Sequence, residues 1–87
     1  MKIWVLTVLN DIHNNYKGID DVETYLFSTR SGAIGALVNR STSAIRLLKD
    51  MAKCEYEDLE VEERKHFFHA NNGQDYITCK IEEKDVL

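Results

Sequence analysis

The segment Ser28-Thr29-Arg30-Ser31-Gly32-Ala33-Ile34-Gly35 holds three hydroxyls, an arginine and two glycines within eight residues. Where a strand runs into a helix, free backbone N–H groups and such side chains favour a phosphate or carboxylate. Ser28, Thr29, Arg30, Ser31 and Gly32 are therefore candidate anion-binding residues. No Gly-Lys-Ser/Thr follows, which excludes a Walker A loop, and the Gly-x-Gly-x-x-Gly of dinucleotide folds is missing. The competing reading is structural: the hydroxyls cap a helix and the glycines let it approach a sheet.

His66 and His69, three apart, would bring two imidazoles to one metal if they lay on a helix. Cys54, Cys79 and His13 are further ligand types, but no Cys-x-x-Cys or His-Glu-x-x-His spacing joins them, so no metal is assigned. Asp11, His13, Asn14, Asn15, Asp20 and Asp21 crowd one stretch whose residue types suit acid–base or calcium chemistry. Their spacing does not fit an EF-hand, and no serine or cysteine nucleophile has a visible base. The expectation is a protein without catalytic residues and without a cofactor.

Charge organises the chain more clearly than any motif. Residues 30–53 carry five basic groups (Arg30, Arg40, Arg46, Lys49, Lys53) against one acidic, Asp50. Residues 54–63 carry six acidic groups (Glu55, Glu57, Asp58, Glu60, Glu62, Glu63) and none basic. Such a block is a solvated face or an interaction edge. It is the first candidate partner-binding surface; the basic face Arg46, Lys49 and Lys53 is the alternative.

Several elements must position these groups. Residues 2–9 read as a strand, with Ile3, Val5, Thr7 and Leu9 pointing one way and Trp4, Leu6 and Val8 the other. Apolar residues on both faces mark a central strand. Residues 10–20 are turn formers and polar groups, hence a loop. Residues 21–28 alternate again, and the two strands should pair as an antiparallel hairpin. Residues 29–53 read as a helix, since Ala33, Ile34, Leu37, Val38, Ala44, Ile45, Leu47, Leu48, Met51 and Ala52 fall within one half of the wheel. A second helix is expected over 58–71: Asp58 is a cap, acids come first, and Arg64, Lys65, His66 and His69 follow. Asn71-Asn72-Gly73 would stop it, and 75–83 alternates as a closing strand. The expected fold class is α+β, in the order β-β-α-α-β, with a small antiparallel sheet packed on one long and one shorter helix.

Eighty-seven residues suit one domain (1–87), and a chain of this size buries only about 60% of its unfolded surface. Hydrophobic content of 44% with 30% charge is globular in character. The longest uninterrupted apolar run, Ile3–Leu6, is far below the ~20 residues of a membrane span. The opening residues offer no small-residue cleavage site, which argues against a signal peptide. Two cysteines cannot form a disulfide framework and suit a reducing, cytoplasmic compartment. A net charge of −4 argues against direct, sequence-independent nucleic-acid binding. The wide apolar half of the long helix, with Trp4, Tyr25, Phe27, Phe67 and Phe68, exceeds what a thin core covers, so a homodimer is an expectation.

The opening strand Met1–Leu9, the run Tyr25-Leu26-Phe27-Ser28-Thr29-Arg30 feeding a helix, and the final strand Tyr76–Ile81 together resemble small accessory proteins encoded by bacteriophages. The resemblance covers most of the chain as architecture and carries over no active-site residue. It implies a stoichiometric, non-enzymatic binder that counters a host defence component, as anti-CRISPR inhibitors do, in the host bacterial cytoplasm. The partner would be a host protein that handles nucleic acid, met by Glu55–Glu63. The basic helix face departs from a uniformly acidic DNA mimic. Two alternatives stand beside this reading. One is a protein that sequesters a nucleotide or cyclic nucleotide at residues 28–35, and the other is a regulatory protein–protein interaction domain.

Overall fold

The computed structural model describes residues 1–12, 19–53 and 55–86. Strands β1 (Lys2–Ile12) and β2 (Ile19–Phe27) precede helix α1 (Arg30–Ala52). A short 3-10 turn, Tyr56–Asp58, follows, and then strands β3 (Glu60–Arg64), β4 (Phe67–Asn71) and β5 (Tyr76–Asp85). The strands form one five-stranded antiparallel sheet in the order β2-β1-β5-β4-β3.

The expected β-β-α-α-β order is therefore corrected. The region read as a second helix, 58–71, is a turn and a β-hairpin. Acids followed by bases complement a helix dipole, but burial here alternates with the period of a strand. Along β4, Phe68 and Ala70 are buried while Phe67, His69 and Asn71 are half-buried. In an α-helix, adjacent Phe67 and Phe68 would lie about 100° apart on one side; in β4 they point to opposite faces of the sheet. Asn71-Asn72-Gly73, read as a helix stop, is the β4–β5 turn. Asn72 Oδ1 accepts from the backbone N–H groups of Gln74 and Asp75, and Gly73 takes φ 96°, a conformation that favours glycine. Asn72 Nδ2 also donates to the Leu48 carbonyl at 3.2 Å, tying the turn to α1.

The hairpin expected from the first two strands is present, with Trp4 opposite Phe27 and Thr7 opposite Thr24. Both strands run further than expected, into the stretch read as a loop; His13, Asn14 and Asn15 lie outside the described residues. One sheet face carries Leu6, Val8, Phe68, Ala70, Ile77, Cys79 and Ile81, all buried under α1. Helix residues Ala33, Leu37, Ala44 and Leu48 close this core, with Ile34, Ile45 and Met51 packed against it. Each fully buried large apolar side chain contributes about 1.5–3 kcal/mol. The buried stripe is narrower than the wheel suggested, because Val38 and Leu47 are 58% and 44% exposed. Trp4 and Phe27 pack on the core edge. The opposite sheet face, with Ile3, Val5, Leu9, Val22 and Leu26, bears no helix among the described residues.

Candidate functional site

The acidic residues lie at one border of the sheet. Glu55 and Asp58 bracket the 3-10 turn in a capping box, and the Glu55 backbone N–H donates to Asp58 Oδ2 at 3.0 Å. From there the chain enters β3, the edge strand. Alternation splits its acids: Glu60 and Glu62 lie on the helix-free face, and Glu63 lies on the helix side. All six carboxylate residues, Glu55, Glu57, Asp58, Glu60, Glu62 and Glu63, are exposed. Arg64 pairs with Glu62 at 2.5 Å, and the Asn71 amide donates to Glu60 at 3.2 Å. The remaining acids show no cationic partner among the described residues. Charge on an edge strand also keeps it from pairing with other sheets, so this border has a structural use as well.

The second candidate lies where β2 meets α1. Thr29, in extended conformation, is the N-cap, and its Oγ1 accepts from the Gly32 N–H at 3.1 Å. A Cβ on Gly32 would sit 2.9 Å from that hydroxyl, so the glycine clears the cap. Gly35 has open space around it, so close packing does not require a glycine there. Ser28 and Ser31 are exposed. Arg30 reaches across to the β3–β4 turn, where its Nε donates to His66 Nε2 at 3.1 Å. Trp4, Arg30, His66, Ile81 and Glu83 line an open cleft of about 440 Å³. An indole and a guanidinium lining one cleft suit a flat anionic molecule; Ser28, Thr29, Ser31 and Gly32 do not line it. Glu83, itself 3.6 Å from Lys2 Nζ, opposes a multiply charged one.

Other expected groups are dispersed. His66 lies in a turn, and His69 lies on the helix-free sheet face, where its Nδ1 and Thr78 Oγ1 are 2.7 Å apart. They do not share a helical face, and no cluster of three or more His, Cys, Asp or Glu fit to hold a metal occurs among the described residues. Cys79 is fully buried, and burial pushes its thiol up to about 11. On α1, Arg46 and Lys53 are exposed and Lys49 is half-buried. Arg46 and Lys49 line a shallow 240 Å³ depression with Asp50, Thr42 and Ile45.

Two features were missed from sequence. The first is a buttress between α1 and the β1–β2 hairpin. The Glu23 carboxylate accepts from Arg40 at 2.6 Å, from Asn10 Nδ2 at 2.7 Å and from the Tyr25 hydroxyl. The Tyr25 hydrogen bond, with those of Asn10 and Arg40, holds Glu23 below the usual carboxylate range against the opposing effect of burial. The second is an apolar groove of about 490 Å³ between α1 and the β3–β4 hairpin, floored by Phe68 and walled by Ile34, Val38 and Ile45.

Comparison with protein-family models, with curated proteins and with solved structures gives no match. No helix among the described residues is long and apolar enough to cross a membrane.

Proposed function

We propose that this is a non-catalytic binding protein whose acidic border, the 3-10 turn and β3, occupies a basic surface on a partner protein that handles nucleic acid. One observation carries the reading: six exposed carboxylate residues follow one another along an edge, with Arg64 as their paired cation among the described residues. Such a border steers association with an electropositive groove and sets specificity, while each rim charge contributes little alone. The narrower form, which the bacteriophage resemblance implies, is a stoichiometric inhibitor of a host defence component such as a CRISPR effector, working in the bacterial cytoplasm. A regulatory domain with a housekeeping partner would use the same surface; the identity of the captured protein decides between them.

Pull-down from bacterial lysate names the partner, and reversal variants then test the surface. Glu57, Glu60 and Glu63 changed together to Lys, with the fold intact, should abolish most binding. Binding by the parent should weaken as salt rises past physiological strength, where the screening length is about 8 Å. If that triple variant binds like the parent while an Arg46/Lys49/Lys53 reversal does not, the basic helix face is the interface.

A second reading rests on the cleft at the start of α1, which gathers Trp4, Arg30 and His66 from three elements. There the protein would hold a nucleotide, the base against Trp4 and a phosphate at Arg30. Calorimetric titration with mono-, di- and cyclic nucleotides tests it. Stoichiometric heat that Arg30→Ala removes supports it, and the absence of heat with every nucleotide rejects it.

A further inference from the structure

The two borders of the sheet differ in kind. On β3, four of five residues are charged, Val61 being the exception. On β2, the stretch from Val22 to Phe27 contains one ionisable acid, Glu23, and its charge is neutralised inside the chain by Arg40. Val22, Tyr25 and Leu26 on this strand are 61%, 41% and 66% exposed. The outer edge of β2 pairs with no strand among the described residues. An edge stretch with exposed apolar side chains and its one acid already paired is a template for another strand.

We propose that two copies of the chain pair antiparallel through this edge of β2, about a two-fold axis at Thr24, into one continuous ten-stranded sheet. Charge and side-chain complementarity select both the occupant and the register. With Thr24 on the axis, Val22 lies opposite Leu26 of the second copy, and Glu23 opposite its Tyr25. The two exposed apolar residues then cover each other on the helix-free face, beside Leu9 and Val5 of their own chains. Moving the axis to Glu23 would set two carboxylates opposite each other, and like charges directly opposite are destabilising; moving it to Val22 would take Leu26 off Val22. Moving it to Tyr25 would pair Leu26 with Thr24 and leave Val22 uncovered. The contact expected from sequence was the helix and the aromatic residues, but Phe68, Trp4 and Phe27 are engaged in the core. The proposal does not depend on the acidic border, which lies at the far edge of the sheet and stays free in the dimer.

Thr24 on the axis gives a direct test, because opposed residues of an antiparallel ladder have Cα atoms about 4.5–5.5 Å apart, within disulfide range. In a Cys54→Ser background, Thr24→Cys should oxidise to a species of twice the 10.1 kDa chain mass, while Glu62→Cys on β3 stays monomeric. Sedimentation of the unmodified chain should show a concentration-dependent dimer. Leu26→Lys should weaken it at least about tenfold while leaving the thermal transition of the monomer in place. A monomer at every concentration up to millimolar overturns the proposal. So does a dimer that Leu26→Lys leaves unchanged, or cross-linking through Glu62→Cys and not through Thr24→Cys.

Discussion

Phe67 and Phe68 are neighbours in sequence, and strand β4 assigns them unlike energetic roles. Phe68 is 1% exposed and sits among the core side chains beneath α1. Phe67 lies on the helix-free face, half-buried, with the Arg64 guanidinium 5.8 Å from its ring centre. Truncating a buried phenylalanine to alanine removes its transfer free energy and leaves a cavity, together about 3–5 kcal/mol. A domain of this length has a total stability of about 4–13 kcal/mol. Phe68→Ala therefore removes a large share of it, and at about 4–8 °C per kcal/mol the melting temperature falls by at least about 12 °C. Phe67→Ala loses partial burial and an exposed cation–π contact of about 0.5–1 kcal/mol, so its transition moves by a few degrees. Urea titration followed by the single tryptophan, Trp4, reads both variants, and Phe68→Leu supplies a milder step if the alanine variant is unfolded at room temperature. Equal destabilisation by Phe67→Ala and Phe68→Ala would refute the strand assignment, since only a helix places both rings on one side.

Three further outcomes are expected. Glu23 has a folded-state pKa below its ordinary 4.5, so its buttress stabilises the fold above that value and is lost as pH falls below it; Glu23→Gln should lower stability at pH 7 and flatten the acid limb of a pH–melting curve. Cys79, buried with its thiol raised to about 11, should resist a thiol reagent at neutral pH in a Cys54→Ser chain and react only as fast as the fold opens, which time-resolved labelling with and without urea measures. Lys53 ends α1 with φ 51°, a left-handed conformation that glycine adopts without strain, so Lys53→Gly should raise stability by about 0.5–1 kcal/mol in thermal melts.

The elements legible in the sequence were those whose burial pattern repeats over a long stretch. β1 and β2 alternate over many residues, and α1 returns an apolar residue to one side for six turns. β5 shows its inward series Ile77, Cys79 and Ile81 without ambiguity. The β3–β4 hairpin was hidden because β3 offers a single apolar residue, Val61, among four charges. In β4 the inward Phe68 is flanked by an outward Phe67, which blurs a period of two. Acids before bases then imitated a helix. Of the candidate sites, the acidic border and Arg30 were visible as residues, because charge needs no fold to be counted. Their surroundings were not: Trp4, His66 and Glu83 share a cleft with Arg30 only because β1 and β5 are adjacent and the β3–β4 turn comes back over the start of α1. The buttress on Glu23 has the same origin, since Asn10, Arg40 and Tyr25 belong to three elements.

The strand order also constrains how the chain matures as it is made. β5 follows the other four described strands, yet it sits between β1 and β4, pairing along Lys2–Asp11 on one side and Phe67–Asn71 on the other. Until it leaves the ribosome, the β1–β2 and β3–β4 hairpins share no edge. The buried stripe of α1 meanwhile lacks the Ile77, Cys79 and Ile81 floor. Non-local pairing of this kind is slow, because loop closure must precede any reward in contacts. A nascent chain stalled before Tyr76 should therefore be open to protease along both hairpins, and release of the last strand should convert it to the resistant form in a single step.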